Sequence, residues 1–207
     1  VIDALRASFA FLYDYRGMRY DLAVTRTDRR RLIADAALDL AATGGNHAIT
    51  HQTIDRHLEL PKGSTSYYFR TRGALVGAAA ERLVARSREA FASHLAKHGE
   101  TPVDVIAGYL LDLTVGRRSD VLARQALLLD PTVSAVTRER LLGCLFSTES
   151  ARSLMTASGS SSPDRDAERL LMLLEGIAFT LTHRGIDART GKAEIRAQLG
   201  AAFPELV

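Results

Sequence analysis

Between residues 28 and 43 the apolar side chains return at helical spacing. Ile33, Ala36, Ala37, Leu40 and Ala41 share one stripe, while Arg30, Arg31, Asp35 and Asp39 take the opposite face. That period predicts an amphipathic helix. Gly44-Gly45 follows, and such a pair supplies the left-handed conformation that ends a helix. A second helix, about nine residues long, is predicted from Thr50, a good N-cap, with Ile54 and Leu58 turned inward. Leu60 and Pro61 then open a third, running to about Phe69, because proline suits a helix's first turn. Thr71 caps a fourth that reaches about residue 97, with Leu75, Ala79, Leu83 and Ser87 on one side. At 1.5 Å per residue it is about 40 Å long, enough to join one domain to another.

The same periodicity continues to the carboxyl end. Helices are predicted over 102–115, 117–129, 133–156, 165–183 and 191–203. The loop TASGSSSPD, 156–164, separates the third and fourth of these, and Arg184-Gly185 ends the fourth. Long Val/Ile/Thr alternations are absent, proline is scarce, and Ala, Leu and Arg dominate, so the fold class is all-α. Residues 1–27 differ: Phe9, Phe11, Tyr13 and Tyr15 alternate at period two with no partner strand in sight. They read as an extension ahead of an initiator at Met18, or as an arm that touches DNA through TRTDRRR, 25–31.

The chain has 207 residues, of which 46% are apolar and 25% charged, so it can bury a core and remain soluble. A single cysteine, Cys144, excludes an internal disulfide and fits a reducing cytoplasm. No apolar run approaches the ~20 residues of a membrane span, so no membrane partner is expected. The net charge is +3, and its placement matters more than its size. Residues 18–75 hold nine Arg/Lys against six Asp/Glu, whereas 76–207 hold 16 of each and 1–17 hold two of each. The whole excess lies on the first helices, the footprint of a nucleic-acid contact surface.

Within that basic region stands LPKGSTSYYFRTR, 60–72, rich in residues that form helices poorly. Three short helices with a tight connection between the second and third describe a helix-turn-helix. A helix lying in the major groove benefits from small residues, here Gly63, Ser64 and Ser66, which permit close approach. Their hydroxyls, the free N–H groups of the helix start and Lys62 suit phosphate oxygens. The hydroxyls of Tyr67 and Tyr68 do too, and their rings can pack on sugar or a thymine methyl. Thr65 and Phe69, four apart, are the positions that hold this helix to the core.

The ordered set Thr50, Ile54, Leu58, Leu60, Lys62-Gly63-Ser64, Tyr67-Tyr68-Phe69 and Thr71-Arg72 resembles the DNA-binding domain of the TetR family of bacterial transcriptional repressors. The resemblance covers about 28–75, and the length and helical remainder fit as well. Asp55 stands where that family usually has Ala, Glu59 where the turn usually has Gly, and Ser66 where Tyr is common. With residues 1–27 set apart as an extension, the resemblance implies a DNA-binding domain at 28–72 and a ligand-binding and dimerisation domain at 73–207. It implies that Thr50, His51 and Gln52 meet the duplex from the second helix. Lys62, Gly63, Ser64, Ser66, Tyr67 and Tyr68 would form the groove surface, and Arg72 would reach a phosphate. It further implies a homodimer built on the last two helices, with Leu170, Leu173, Leu174, Gly176, Ile177 and Leu181 at the interface. In that family the central helices, here roughly 101–157, enclose a small-molecule effector, for which Tyr109, Thr114, Gln125, Cys144 and Thr148 are the polar candidates.

The partners expected are therefore a double-stranded DNA operator, a second copy of the chain and a small-molecule effector. The alternative is a helical interaction module of the same fold without operator binding. The six histidines are scattered. His94 and His98 are four apart, a metal-compatible spacing, but lie beside Lys97 near a helix end, as solvated side chains do. No Ser/His/Asp set, phosphate loop or dinucleotide fingerprint occurs, so neither an enzyme nor a cofactor or metal is expected.

Overall fold

The computed structural model describes Ile2, residues 26–96 and residues 101–207. The alternating segment 9–15 and His98 lie outside the described residues. Ten α-helices are present among the described residues and no strand: α1 Arg26–Gly44, α2 His51–His57, α3 Ser64–Tyr68, α4 Arg72–Leu95, α5 Pro102–Thr114, α6 Arg118–Leu128, α7 Ala135–Leu142, α8 Thr148–Ala157, α9 Pro163–Arg184 and α10 Gly191–Ala202. The all-α class holds.

Two compact units are formed, divided within α4. The first contains 26–87 and 119–145; the second contains 88–96, 101–118 and 146–207. In the first, Ile33, Leu38, Ile49, Ile54, Leu75, Leu83, Leu127 and Leu141 are fully buried. Four charges tie α1, α4 and α6 together. Asp35 accepts from Arg82 Nε at 2.7 Å and faces Arg86 at 3.6 Å, and Arg86 faces the buried Asp120 at 3.3 Å. In the second unit α9 packs on α8 and α5, and α10 packs on α5. Its core holds Val103, Leu110, Leu113 and Met155, with Tyr109 edge-on to the rings of Phe91, His94 and Phe146.

Three predicted boundaries shift. α1 begins at Arg26, so Arg26 and Thr27 belong to the first helix. The predicted helix over 133–156 is two helices. Gly143 closes α7, Ser147 caps α8 by accepting from the Ser150 N–H, and the buried Cys144, Leu145 and Phe146 fill the break. Apolar content alone does not reveal an interruption whose own residues are apolar. The third helix covers 64–68 and leaves Pro61 in the preceding turn.

Candidate nucleic-acid interface

α2 starts as its sequence requires. The Thr50 hydroxyl accepts from the Thr53 N–H at 3.1 Å, the N-cap bond, and pairs with the Thr53 hydroxyl at 2.6 Å. Its end is more informative. Leu60 N–H donates to the Asp55 carbonyl at 2.7 Å and Glu59 N–H to the Arg56 carbonyl at 3.3 Å. These two bonds are the Schellman pattern, which places Glu59 at the left-handed position, with φ of 52°. Glycine normally fills that place, and the chain uses one at Gly159, φ 81°, where the same pair of bonds ends α8. Glu59 is the one non-glycine residue with positive φ among those described. The absence of the expected glycine from the turn is thus met by backbone strain, about 1–2 kcal/mol for a side chain in this region.

α3 is only five residues long, too short to hold itself. Its N-cap is Gly63, in the left-handed region at φ 92°, and has no side chain with which to cap. Asp55 supplies the cap from α2. Its Oδ2 accepts from the Gly63 N–H at 2.8 Å, and its Oδ1 accepts from the Thr65 N–H at 2.8 Å and the Thr65 hydroxyl at 2.6 Å. Burial raises the Asp55 pKa, but the bonds from the Thr65 hydroxyl and from the Thr65 and Gly63 N–H groups outweigh it. With a smaller contribution from His51, they hold the carboxyl below its usual value. Asp55, which departs from the family pattern, is therefore the brace of α3, and Thr65 is buried on it as predicted.

The far end of α3 is tied as well. His51 Nε2 donates to the Phe69 carbonyl at 2.6 Å, which fixes the tautomer because a carbonyl only accepts. Arg30 donates to the Tyr68 carbonyl at 2.6 Å, and its guanidinium lies 4.2 Å from the centre of the Phe69 ring. Phe69 is buried, as expected. Arg26 lies over the Tyr67 ring at 5.9 Å. These α1 arginines hold α3 from behind.

What remains open is a coherent outer face. Gln52, Lys62, Gly63, Ser66 and Tyr67 are exposed, with Tyr67 at 70%, and Ser64 and Tyr68 are half-buried. The Tyr67 and Tyr68 rings meet edge to face at 5.1 Å, so each limits the other's motion. Ser64 turns its hydroxyl to the Pro61 carbonyl at 2.7 Å. Arg70, exposed just past the helix, adds a cation that was not singled out from sequence. Arg72, expected at a phosphate, is engaged within the chain. It donates to the Asn46 carbonyl at 2.8 Å, reaches the Thr132 hydroxyl at 3.4 Å and faces Asp130 at 3.7 Å. Of the second-helix residues expected at the duplex, Thr50 and His51 make a cap and a tie within the chain, and Gln52 is exposed.

The five residues expected around an effector do not share one unit. Tyr109, Thr114 and Thr148 belong to the second, Gln125 and Cys144 to the first. Tyr109, Thr114 and Cys144 are buried, Gln125 is half-buried and Thr148 is exposed. The Thr114 hydroxyl donates within its own helix, to the Leu110 and Leu111 carbonyls. On α9, Leu170, Leu174, Ile177 and Leu181 are buried within the chain itself, Leu173 is half-buried and Gly176 is exposed. Met172 and Phe179 are the large apolar side chains that α9 leaves open, at 67% and 57%. Among the described residues no group of three or more His, Cys, Asp or Glu is placed to hold a metal ion. No helix among them is long and apolar enough to cross a membrane.

No family model and no curated protein sequence matches the chain. Solved structures do. A TetR-family member from Streptomyces coelicolor A3 shares 23% identity over 82% of this chain and 97% of its own, with a TM-score of 0.64. A transcriptional regulator from a Rhodococcus species shares 15% over 84% and 96%, with a TM-score of 0.68. The multidrug binding protein EbrR, solved with imidazole, shares 22% over 84% and 94%, with a TM-score of 0.61. EbrR has also been solved with ethidium. At these identities the likeness speaks to architecture, and it spans nearly the whole of each relative. The chain has the fold of the TetR/AcrR transcriptional regulators.

Proposed function

We propose that this protein is a homodimeric, ligand-responsive transcriptional regulator of the TetR type, acting as a repressor on a near-palindromic DNA operator. The observation that carries this reading is the division of labour on α3. Its inner face is held by Asp55, Arg30 and His51, and its outer face presents Lys62, Gly63, Ser66 and Tyr67 to solvent. A five-residue helix clamped at both ends and bare on one side suits a surface that is completed by a partner. Small residues, one cation and a phenol suit a duplex groove: Lys62 and Tyr67 engage phosphates, and Ser66 and Tyr68 approach base edges. Asp55 and Glu59, both departures from the family pattern, serve to present this helix.

Homodimerisation places two such helices roughly 34–36 Å apart, one turn of DNA. The interface is read here as the outer stripe of α9, with Met172, Gly176, Phe179 and His183 at helical spacing, continued by Ala193, Ala197 and Ala201 on α10. A Cβ on Gly176 would meet nothing within 4 Å, so a second helix can approach there. The buried leucines of α9 support this stripe from behind. The effector is assigned to the central helices, with Tyr109 as the first residue to test, and its binding releases the operator.

The experiment is a binding comparison on an operator selected from a random duplex pool. Lys62→Ala and Tyr67→Ala are each expected to lose about tenfold in affinity or more, the equivalent of one good contact, with the oligomeric state unchanged. Unchanged affinity in both variants overturns the groove assignment.

A further inference from the structure

Arg72 was expected at a phosphate, yet its guanidinium meets three acceptors of the chain itself. Nη2 donates to the Asn46 carbonyl at 2.8 Å, Nη1 reaches the Thr132 hydroxyl at 3.4 Å, and Asp130 Oδ2 lies 3.7 Å away. We propose that Arg72 is a positioning residue for operator recognition, through which Asp130 and Thr132 set α2 and α3 on the duplex. Thr132 lies 60 positions further along the chain, so residues outside the helix-turn-helix share in its specificity. The inference rests on the DNA-reading role proposed above.

Asp130 is a prepared anchor. Its Oδ1 accepts from the Thr132 hydroxyl at 2.6 Å and the Thr132 N–H at 2.7 Å, across Pro131. An aspartate bonded two residues ahead closes an Asx turn. Its carbonyl accepts from Arg138 at 2.7 Å, and Arg138 also donates to the Leu128 carbonyl. The Thr132 bonds hold the carboxyl below its usual pKa; burial opposes them, and Arg72 and His47 add to the lowering. The anion is therefore fixed by α6, α7 and the turn between them, whether or not Arg72 is present. On its other side Arg72 holds the loop that delivers Thr50 and His51 to the start of α2. His51 in turn donates to the Phe69 carbonyl, at the end of α3. The bonds 72 to 46 and 51 to 69 join the same two segments, and Arg72 extends that clamp to the anchor. The outer contacts are long and the Arg72 side chain is 38% exposed, so they add little to stability. Placement is what they govern, because base-edge contacts tolerate only a fraction of an ångström of error. A phosphate would have to displace Asp130, whose charge already offsets that of Arg72.

The test measures affinity of the full chain for an operator selected from a random duplex pool and for a scrambled duplex, over a range of salt. Arg72→Ala, Asp130→Asn and the double variant are compared, each checked by circular dichroism to be folded at the assay temperature. Asp130→Asn keeps an oxygen for the Thr132 donors and removes only the charge, so it stays usable should Arg72→Ala not fold. Each single variant is expected to bind the operator about fivefold more weakly and the scrambled duplex as before, with the salt slope unchanged. The double variant is expected to lose no more than Arg72→Ala alone, since Asp130 acts through Arg72. A phosphate contact gives another pattern. Arg72→Ala then weakens both duplexes alike and reduces the salt slope by about one, and Asp130→Asn tightens binding by freeing the guanidinium. Either result overturns the inference. So does equal weakening on both duplexes with the slope unchanged, the mark of a merely structural role. If the unaltered chain prefers no selected duplex, the DNA-reading role itself falls, and this inference with it. If the unaltered chain does prefer one, Lys62→Ala weakens it and Asp130→Asn leaves it intact, this inference alone is overturned.

Discussion

Asp55→Ala removes the one group that caps α3. Three bonds end at that carboxylate, at 2.6 to 2.8 Å, from Gly63 and Thr65. A hydrogen bond to a charged acceptor contributes about 1.5–3 kcal/mol, but burying the carboxylate, which is 4% exposed, offsets much of that sum. The cost is better counted from what is left behind. Thr65 is fully buried, so its N–H and hydroxyl lose their acceptor without gaining water, while the exposed Gly63 N–H can be hydrated. Two unmatched buried donors and a lost cap, discounted for relaxation, come to about 3 kcal/mol. That is a large share of the 5–15 kcal/mol typical of a domain. Asp55→Asn keeps one acceptor but turns an NH2 toward one of the donors, so about 2 kcal/mol is expected. Urea unfolding followed by circular dichroism reads both values. A double-mutant cycle with Thr65→Val should return a coupling above about 1 kcal/mol. A loss below about 0.5 kcal/mol for Asp55→Ala, with zero coupling, refutes the brace.

Other outcomes follow from the same geometry. Glu59→Gly should raise stability by about 1 kcal/mol, the relief of left-handed strain less the entropy of glycine, and urea midpoints that fall instead remove the strain argument. The folded-state pKa of Asp55 is lowered, so its stabilisation is complete well above its usual pKa of 3.8 and is lost as pH falls below 3.8 through the folded value. Acid titration of stability should therefore show a limb in that window that is flattened in Asp55→Ala; an identical limb contradicts the assignment. Met172→Arg with Phe179→Arg should yield a folded monomer by analytical ultracentrifugation, and a persistent dimer places the interface elsewhere.

The sequence made α2 and α3 legible because their residue types carry chemistry at fixed spacing: Thr50 as a cap, Lys62-Gly63 at a helix start, Thr65 and Phe69 inward. The stripe on α1 was legible for the same reason, since amphipathic period maps directly onto burial. Asp55 was not, because its partners Gly63 and Thr65 are brought to it by the turn and not by helical spacing. A glycine at a helix N-cap is nonetheless a signal that sequence offers: it has no side chain, so the cap has to come from another residue. The contacts of Arg72 within the chain were hidden for a related reason. Its position at the start of α4 fits a phosphate contact, but the Asp130 it meets lies far along the chain. On α9 the leucines marked an apolar helix without saying which were covered by the chain's own core. Met172 and Phe179 emerge only once α5 and α8 are in place against it.

The central claim is that α3 reads DNA through its exposed face. The direct measurement is fluorescence anisotropy of the full chain on labelled duplex from upstream of its own coding sequence, against a scrambled duplex, at two salt concentrations. The account predicts tighter binding to the native duplex, falling steeply with salt as phosphate counterions are released. Equal binding to both duplexes that persists when the native one is replaced by a sequence selected from a random pool would contradict it.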